Sequence, residues 1–177
     1  MLRGVAQSST RPILKGTMTL HLGSPRGTWT TARGEVTAWM PAPGVYVTQS
    51  VGHIDTELAG KIVTGGNDVI RECGFLLAFH DWQKLLTYDG DARKQLTQWG
   101  MAVRGQVERV HLLTGSKLVR MGVAVASIAL GGMMVAYDDR AVFERVLADA
   151  IATKRRPPHV GALLAEPPAH AAHSHRR

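Results

Sequence analysis

The 177 residues suffice for one domain with a sizeable core. A hydrophobic share of 45% with 20% charged residues is that of an ordinary globular chain and excludes disorder throughout. The net charge of +7 sits at the ends: residues 1–34 hold five basic residues and no acid, and residues 154–177 hold five against Glu166, which leaves −2 for residues 35–153. A specific nucleic-acid-binding domain carries its basic residues on the fold itself, because phosphate contacts supply most of its affinity. That class is therefore not expected, although the basic ends can attract anionic partners weakly.

Cys73 is the only cysteine, so no disulfide can form within the chain, and a reducing compartment fits. The first sixteen residues lack the apolar core of a signal peptide. The uncharged run Met121–Tyr137 is interrupted by Gly131-Gly132, which fits a buried helix, a turn and a strand better than a membrane span. The expectation is a cytoplasmic protein without a transmembrane segment.

Residues 1–12 read as a flexible N-terminal tail. From Ile13 the pattern is strand-like, with Leu14, Met18, Leu20 and Leu22 on one parity. Gly23-Ser24-Pro25-Arg26-Gly27 is turn chemistry, and Thr28–Met40 reads as an extended segment with Trp29 and Trp39 on one face. Pro41–Gly44 turns the chain into a strand at Val45–Val51. Short turns favour antiparallel pairing of these first strands. Asp55 is a good N-cap for a helix that Gly74 stops at Cys73. Phe75–Phe79 is a continuous apolar run, suited to a central strand covered on both faces.

The unit then repeats. Asp89 or Asp91 opens a helix carrying Leu96, Trp99 and Val103, and Val107–Leu113 is the next strand. Gly115-Ser116 opens a helix with Met121, Val125, Ile128 and Ala129, and Met133–Tyr137 is a strand. Asp138 caps a last helix carrying Val142, Phe143, Val146, Leu147 and Ile151. The fold class is thus α/β: a mostly parallel open sheet of repeated strand–helix units, with antiparallel strands at its N-terminal edge. A single domain is expected over residues 13–153, followed by a flexible tail rich in Pro, Ala and His over 154–177.

The segments VYVTQSVGHIDTELAGKI, FLLAFHDWQKLLTYDGDARKQL and VERVHLLTGSKLVRMGVAVA resemble three successive strand–helix units of the STAS superfamily, the fold of bacterial anti-sigma factor antagonists. The chain looks like a divergent SpoIIAA-like member, most clearly over residues 45–152. The resemblance implies an open sheet with crossover helices and a non-catalytic, regulatory role in binding a protein partner in a bacterial setting. The related CRAL-TRIO fold suggests the alternative of a small apolar ligand, with the expected helix Met121–Ala129 and strand Met133–Tyr137 as its methionine-containing lining. In the family's regulatory members an Asp-Ser pair opens the second helix and its serine is phosphorylated. Here Asp89-Gly90 stands in that place, without a hydroxyl.

Two groups of candidate site residues follow. Thr87, Tyr88, Asp89, Gly90, Asp91 and Arg93 form a polar loop and helix start where the resembled family binds partners. The competing reading is simple capping and turn formation. His53, His80 and His111 fall at or near the ends of consecutive strands, with Asp81 beside His80, where open α/β sheets bind ligands. Imidazoles and a carboxylate there could do acid–base chemistry or hold a metal, although no metal-ligand spacing supports the latter. Separate, hydrogen-bonded structural histidines are the plainer alternative. Ser116 and Lys117 open a helix after a strand, a weak anion-site signal without the earlier glycine of a phosphate-binding loop. The tail histidines His159, His170, His173 and His175 could bind metal loosely. No cofactor and no catalytic residue are assigned, and a small histidine-based hydrolase or metal enzyme is the least favoured function.

Overall fold

The computed structural model describes residues 20–116, 120, 121, 123, 124, 127, 128 and 131–155. Six strands form one sheet in the order in which the chain makes them: β1 (Gly27–Thr30), β2 (Gly34–Ala42), β3 (Val45–Ile54), β4 (Leu76–Tyr88), β5 (Val107–Leu113) and β6 (Met134–Tyr137). The first two pairings are antiparallel and the remaining three parallel. The expected α/β class with an antiparallel N-terminal edge is therefore observed.

The tight turn at residues 31–33 brings β1 back on β2, and Gly44, at φ 72°, completes the turn into β3. Parallel pairing needs a crossover, and three are made: by helix α1 (Thr56–Cys73), by helix α2 (Gly90–Ala102), and through the helical residues at 120, 121, 123, 124, 127 and 128. Right-handed crossovers that advance always in one direction stack their helices on one face. Accordingly Leu58, Ala59, Ile62 and Val69 of α1 and Ala92 of α2 join Val36, Tyr46, Ile54, Leu76 and Ala78 in one core. Val123 and Leu112 form a smaller cluster farther along the same face.

The last described helix, α3 (Arg140–Arg155), follows β6 and lies across the opposite face. There Phe143, Leu147 and Ile151 pack on Val45, Val47, Phe79 and Leu113, together with Leu22. Full burial of a side chain of this size contributes ~1.5–3 kcal/mol, so three on one helix hold it firmly. Lys154 and Arg155, which the sequence reading assigns to the tail, lie in this helix. Lys154 Nζ is 2.7 Å from Glu108 Oε1, and Arg155 donates twice to the Pro41 carbonyl, at 2.7 and 2.9 Å.

Several local expectations are met. Asp55 Oδ1 accepts from the Leu58 N–H at 2.9 Å and caps α1, and Gly74 ends the helix at φ 79° with its N–H on the Ile70 carbonyl. Gly65 and Gly66, inside α1, allow close approach. A Cβ on Gly65 would lie 2.4 Å from the Tyr46 hydroxyl, and one on Gly66 2.5 Å from the Trp99 ring.

Four expectations need correction. Trp29 and Trp39 lie on opposite faces, because the turn at 31–33 divides Thr28–Met40 into two strands and resets the alternation. Trp29 packs on the core under α1, and Trp39 on the core under α3. The strand expected from Ile13 lies largely outside the described residues, and residues 20–26 are not strand. The last helix is capped by Asp139, whose Oδ1 accepts from the N–H groups of Ala141 (2.7 Å) and Val142 (3.2 Å), while Asp138 pairs with Arg120. The central strand does not end near Phe79 but runs to Tyr88. Among the described residues no helix is long and apolar enough to cross a membrane.

The left-handed conformation of Gly74 gives a direct test. Gly74→Ala should cost about 1 kcal/mol through Cβ strain alone, since nothing lies within 4 Å of the added carbon. Denaturant titration should show a lower midpoint with an unchanged slope.

Candidate functional site

The extension of β4 places the candidate residues differently from a row of loop ends. His80 and Asp81 sit inside the strand, opposite Thr48 and Gln49 of β3 and Leu112 and Leu113 of β5. Successive residues of a strand point to opposite faces, so the two side chains part.

His80 turns toward the face covered by α1 and α2. It is buried, its Nδ1 lies 2.7 Å from Thr48 Oγ1, and its ring meets those of Tyr46 and Trp82. Burial lowers its pKa to about 4. His111 faces the other side, stacked on Phe79 at 4.4 Å between centroids, with Nδ1 2.8 Å from the Tyr137 hydroxyl. Burial, aided by the charge of Arg109, lowers its pKa to about 4 as well. The two imidazoles thus stand on opposite faces of one sheet and cannot share a ligand. Among the described residues no group of three or more His, Cys, Asp or Glu side chains could hold a metal ion.

Asp81, 1% exposed, faces α3. Its carboxylate accepts from Gln49 Nε2 (3.1 Å), the Gln83 N–H (3.1 Å) and Arg140 Nη2 (2.8 Å). Arg140 also donates to Gln83 Oε1 and to Glu144. With this many donors the carboxylate is a structural anchor, not a free base. Ser116 is joined to the helical residue Arg120: its carbonyl accepts from the Arg120 N–H, and its own N–H donates to Thr114 Oγ1 at 3.2 Å. Lys117 is outside the described residues.

His53 belongs to a different neighbourhood, the end of β3. Its Nε2 is 2.8 Å from Asp89 Oδ1, and its Nδ1 is 3.3 Å from Arg33 Nη2. A carboxylate only accepts and a guanidinium only donates. An imidazole with its hydrogen on Nε2 satisfies both contacts at once. Arg33 Nη1 reaches the same Asp89 oxygen at 3.5 Å. One buried ring therefore ties the β1–β2 turn to the start of α2, across 20 residues in one direction and 36 in the other.

This explains the behaviour of Asp89. It occupies the N-cap position of α2, yet its side chain makes no capping hydrogen bond. Its carboxylate is held by His53 and Arg33 instead. Thr87 and Tyr88 are the last residues of β4, so the expected loop is in fact a strand end running directly into a helix. Thr87, Gly90, Asp91 and Arg93 are exposed, and Tyr88 and Asp89 are half-buried. Around Gly90 there is open space, with nothing within 4 Å of an added Cβ. Arg33, Gln49 and Arg140 were not among the sequence candidates. Each is joined to its site by contacts over 20 to 59 residues, for which no local motif exists.

No family model matches the sequence, and no curated protein matches it. Among solved structures, the chain is similar to an uncharacterized protein of the DUF3478 family with a SpoIIAA-like fold from Shewanella loihica PV-4. The TM-score is 0.50 at 13% identity, over 70% of this chain and 92% of that one. It is also similar to the Bacillus cell fate determinant SpoIIAA in its phosphorylated form, with a TM-score of 0.48 at 15% identity, over 63% of this chain and 98% of that one. The domain has the SpoIIAA-like fold that the sequence resemblance implied.

The two buried imidazoles make stability depend on pH with a defined sign. Each has a folded pKa below its unfolded value, so its contribution is complete above the ordinary imidazole range and is lost as the pH falls toward about 4. Between pH 6.5 and 5 the buried His80 should cost about 1.5 kcal/mol. Urea unfolding of His80→Gln should show a shallower loss over that interval than the native chain, by about one imidazole's share. An identical slope would remove His80 as a cause.

Proposed function

We propose that the domain is a non-catalytic, STAS-like interaction module of a bacterial cytoplasm. Its protein partner docks on Thr87, Tyr88, Asp89, Gly90, Asp91 and Arg93. The observation that carries the reading is the state of Asp89. Simple capping, the plainest alternative for this residue, is not supported by a carboxylate that bonds His53 and Arg33 and leaves the N–H groups of α2 alone. The surrounding side chains are exposed and polar, and the SpoIIAA-like fold favours a binding over a catalytic role. At the position where the resembled regulatory proteins carry a phosphorylated serine, Gly90 offers no acceptor. In this reading the permanent charges of Asp89 and Asp91 stand where phosphate would bring roughly −1.5 to −2, and binding is not switched there.

A second reading, carriage of a small apolar ligand, draws support from the cluster of Leu112 and Val123 with Trp82, Tyr88 and Met134.

The two carboxylates separate recognition from stability. Asp91→Ala should abolish partner capture from the native cell extract while changing stability by less than about 1 kcal/mol, the scale of a first-turn charge at a helix N-terminus. Asp89→Ala should lose both, because it releases His53. Lost stability with intact capture in both variants would reduce the pair to a structural role. Phosphate on Thr87 or Tyr88 in protein from its native cell would end the unswitched reading.

A further inference from the structure

Two buried polar atoms, Ser50 Oγ and Trp82 Nε1, have no hydrogen-bond partner among the described residues. The sheet makes them neighbours. Gln49 pairs with Asp81 and Val51 with Lys84, so the single residue Ser50 stands opposite the two residues Trp82 and Gln83 of a bulge in β4. Both side chains lie on the face covered by α1 and α2. Ser50 is paired across β2 with Val36, a member of the core under α1, and Trp82 packs on that core and on the cluster of Leu112 and Val123. Ser50 is 0% exposed.

An unsatisfied buried polar group costs about 1–3 kcal/mol. Two such groups on the same face, on residues set opposite one another at a bulge, call for a common explanation, and bulges are over-represented beside active sites, where they re-aim a side chain. The chemistry of the missing partner is constrained. The indole N–H only donates, so the partner must accept from it; the serine hydroxyl can donate or accept. Thr48 and His80, the preceding polar residues of the same two strands on this face, already bond to each other. An uncharged partner fits the strand residues beside the pair: the Asp81 carboxylate points the other way, to Arg140, and burial keeps the His80 ring neutral.

We propose that Ser50 and Trp82 form a buried binding site for one neutral oxygen, supplied by a water or by the hydroxyl or carbonyl of a small uncharged molecule. The site is independent of the proposed partner surface at Thr87–Arg93 and stands whether or not that surface binds.

The test uses the full chain. A high-resolution crystal structure should show density within about 2.7–3.2 Å of both Ser50 Oγ and Trp82 Nε1. Mass spectrometry of the heat-denatured extract separates the sources. Isolated density with nothing released identifies water, and extended density with a stoichiometric released molecule identifies a ligand; either supports the site. Ser50→Ala should lower Tm by about 3 °C, since it removes one of the bonds that hold the oxygen. No density at this position overturns the proposal, and so does a Ser50→Ala protein whose Tm is unchanged or higher, because deleting an orphaned hydroxyl relieves a cost.

Discussion

One buried carboxylate holds the architecture in register. Asp81 lies in the middle of β4, itself in the interior of the sheet, and is almost wholly removed from water. Its three donors come from three places: the neighbouring strand through Gln49, the bulge of its own strand through the Gln83 N–H, and the opposite layer through Arg140. Burying an ion is expensive unless it is paired and its remaining lone pairs are filled. That requirement acts as a constraint on everything nearby. The bulge must form where it does for Gln83 to reach the carboxylate, and α3 must begin where it does for Arg140 to arrive. The benefit is specificity of arrangement more than net stability.

The bulge then governs the two faces. It shifts the alternation of β4 by one residue, so Leu85 returns to the core under α1 and Leu86 is left exposed at 83%. It also sets Trp82 beside Ser50. Polar geometry on the α3 side thus decides which side chains meet under the helices, and the strand can continue as far as Tyr88, where it delivers the chain directly into α2.

Much of this was legible in the sequence, and the exceptions have physical causes. Val107–Leu113 has the same bounds in pattern and in structure, and Asp55 and Gly74 announced the ends of α1 by their own chemistry. By contrast β4 reads as ending at Phe79, because the apolar run stops there and a strand with register shifts has no steady period of two to detect. Trp29 and Trp39 misled for a related reason: a turn inside an extended stretch resets parity. The candidate histidines read as one set at the ends of consecutive strands, and the sequence pattern does not reveal that His80 and His111 face opposite sides. Nor does it reveal that Asp89, ideally placed to cap a helix, answers to a histidine 36 residues away.

The one-sided winding has a consequence for how the chain is made. Every crossover helix covers the same face as soon as its two strands are complete, so that side closes progressively during synthesis. The other side has no such provision. Val45, Val47, Phe79 and Leu113 receive their main cover only when α3, the last described element, has left the ribosome. At ~5–20 residues per second the nascent chain carries a bare apolar sheet for several seconds between the appearance of β3 and that of α3. For that interval the earlier-made members of that cluster, Leu20, Leu22, Trp39 and Ala42, are already at hand, and the chain offers chaperones a flat, sticky surface that the finished protein covers.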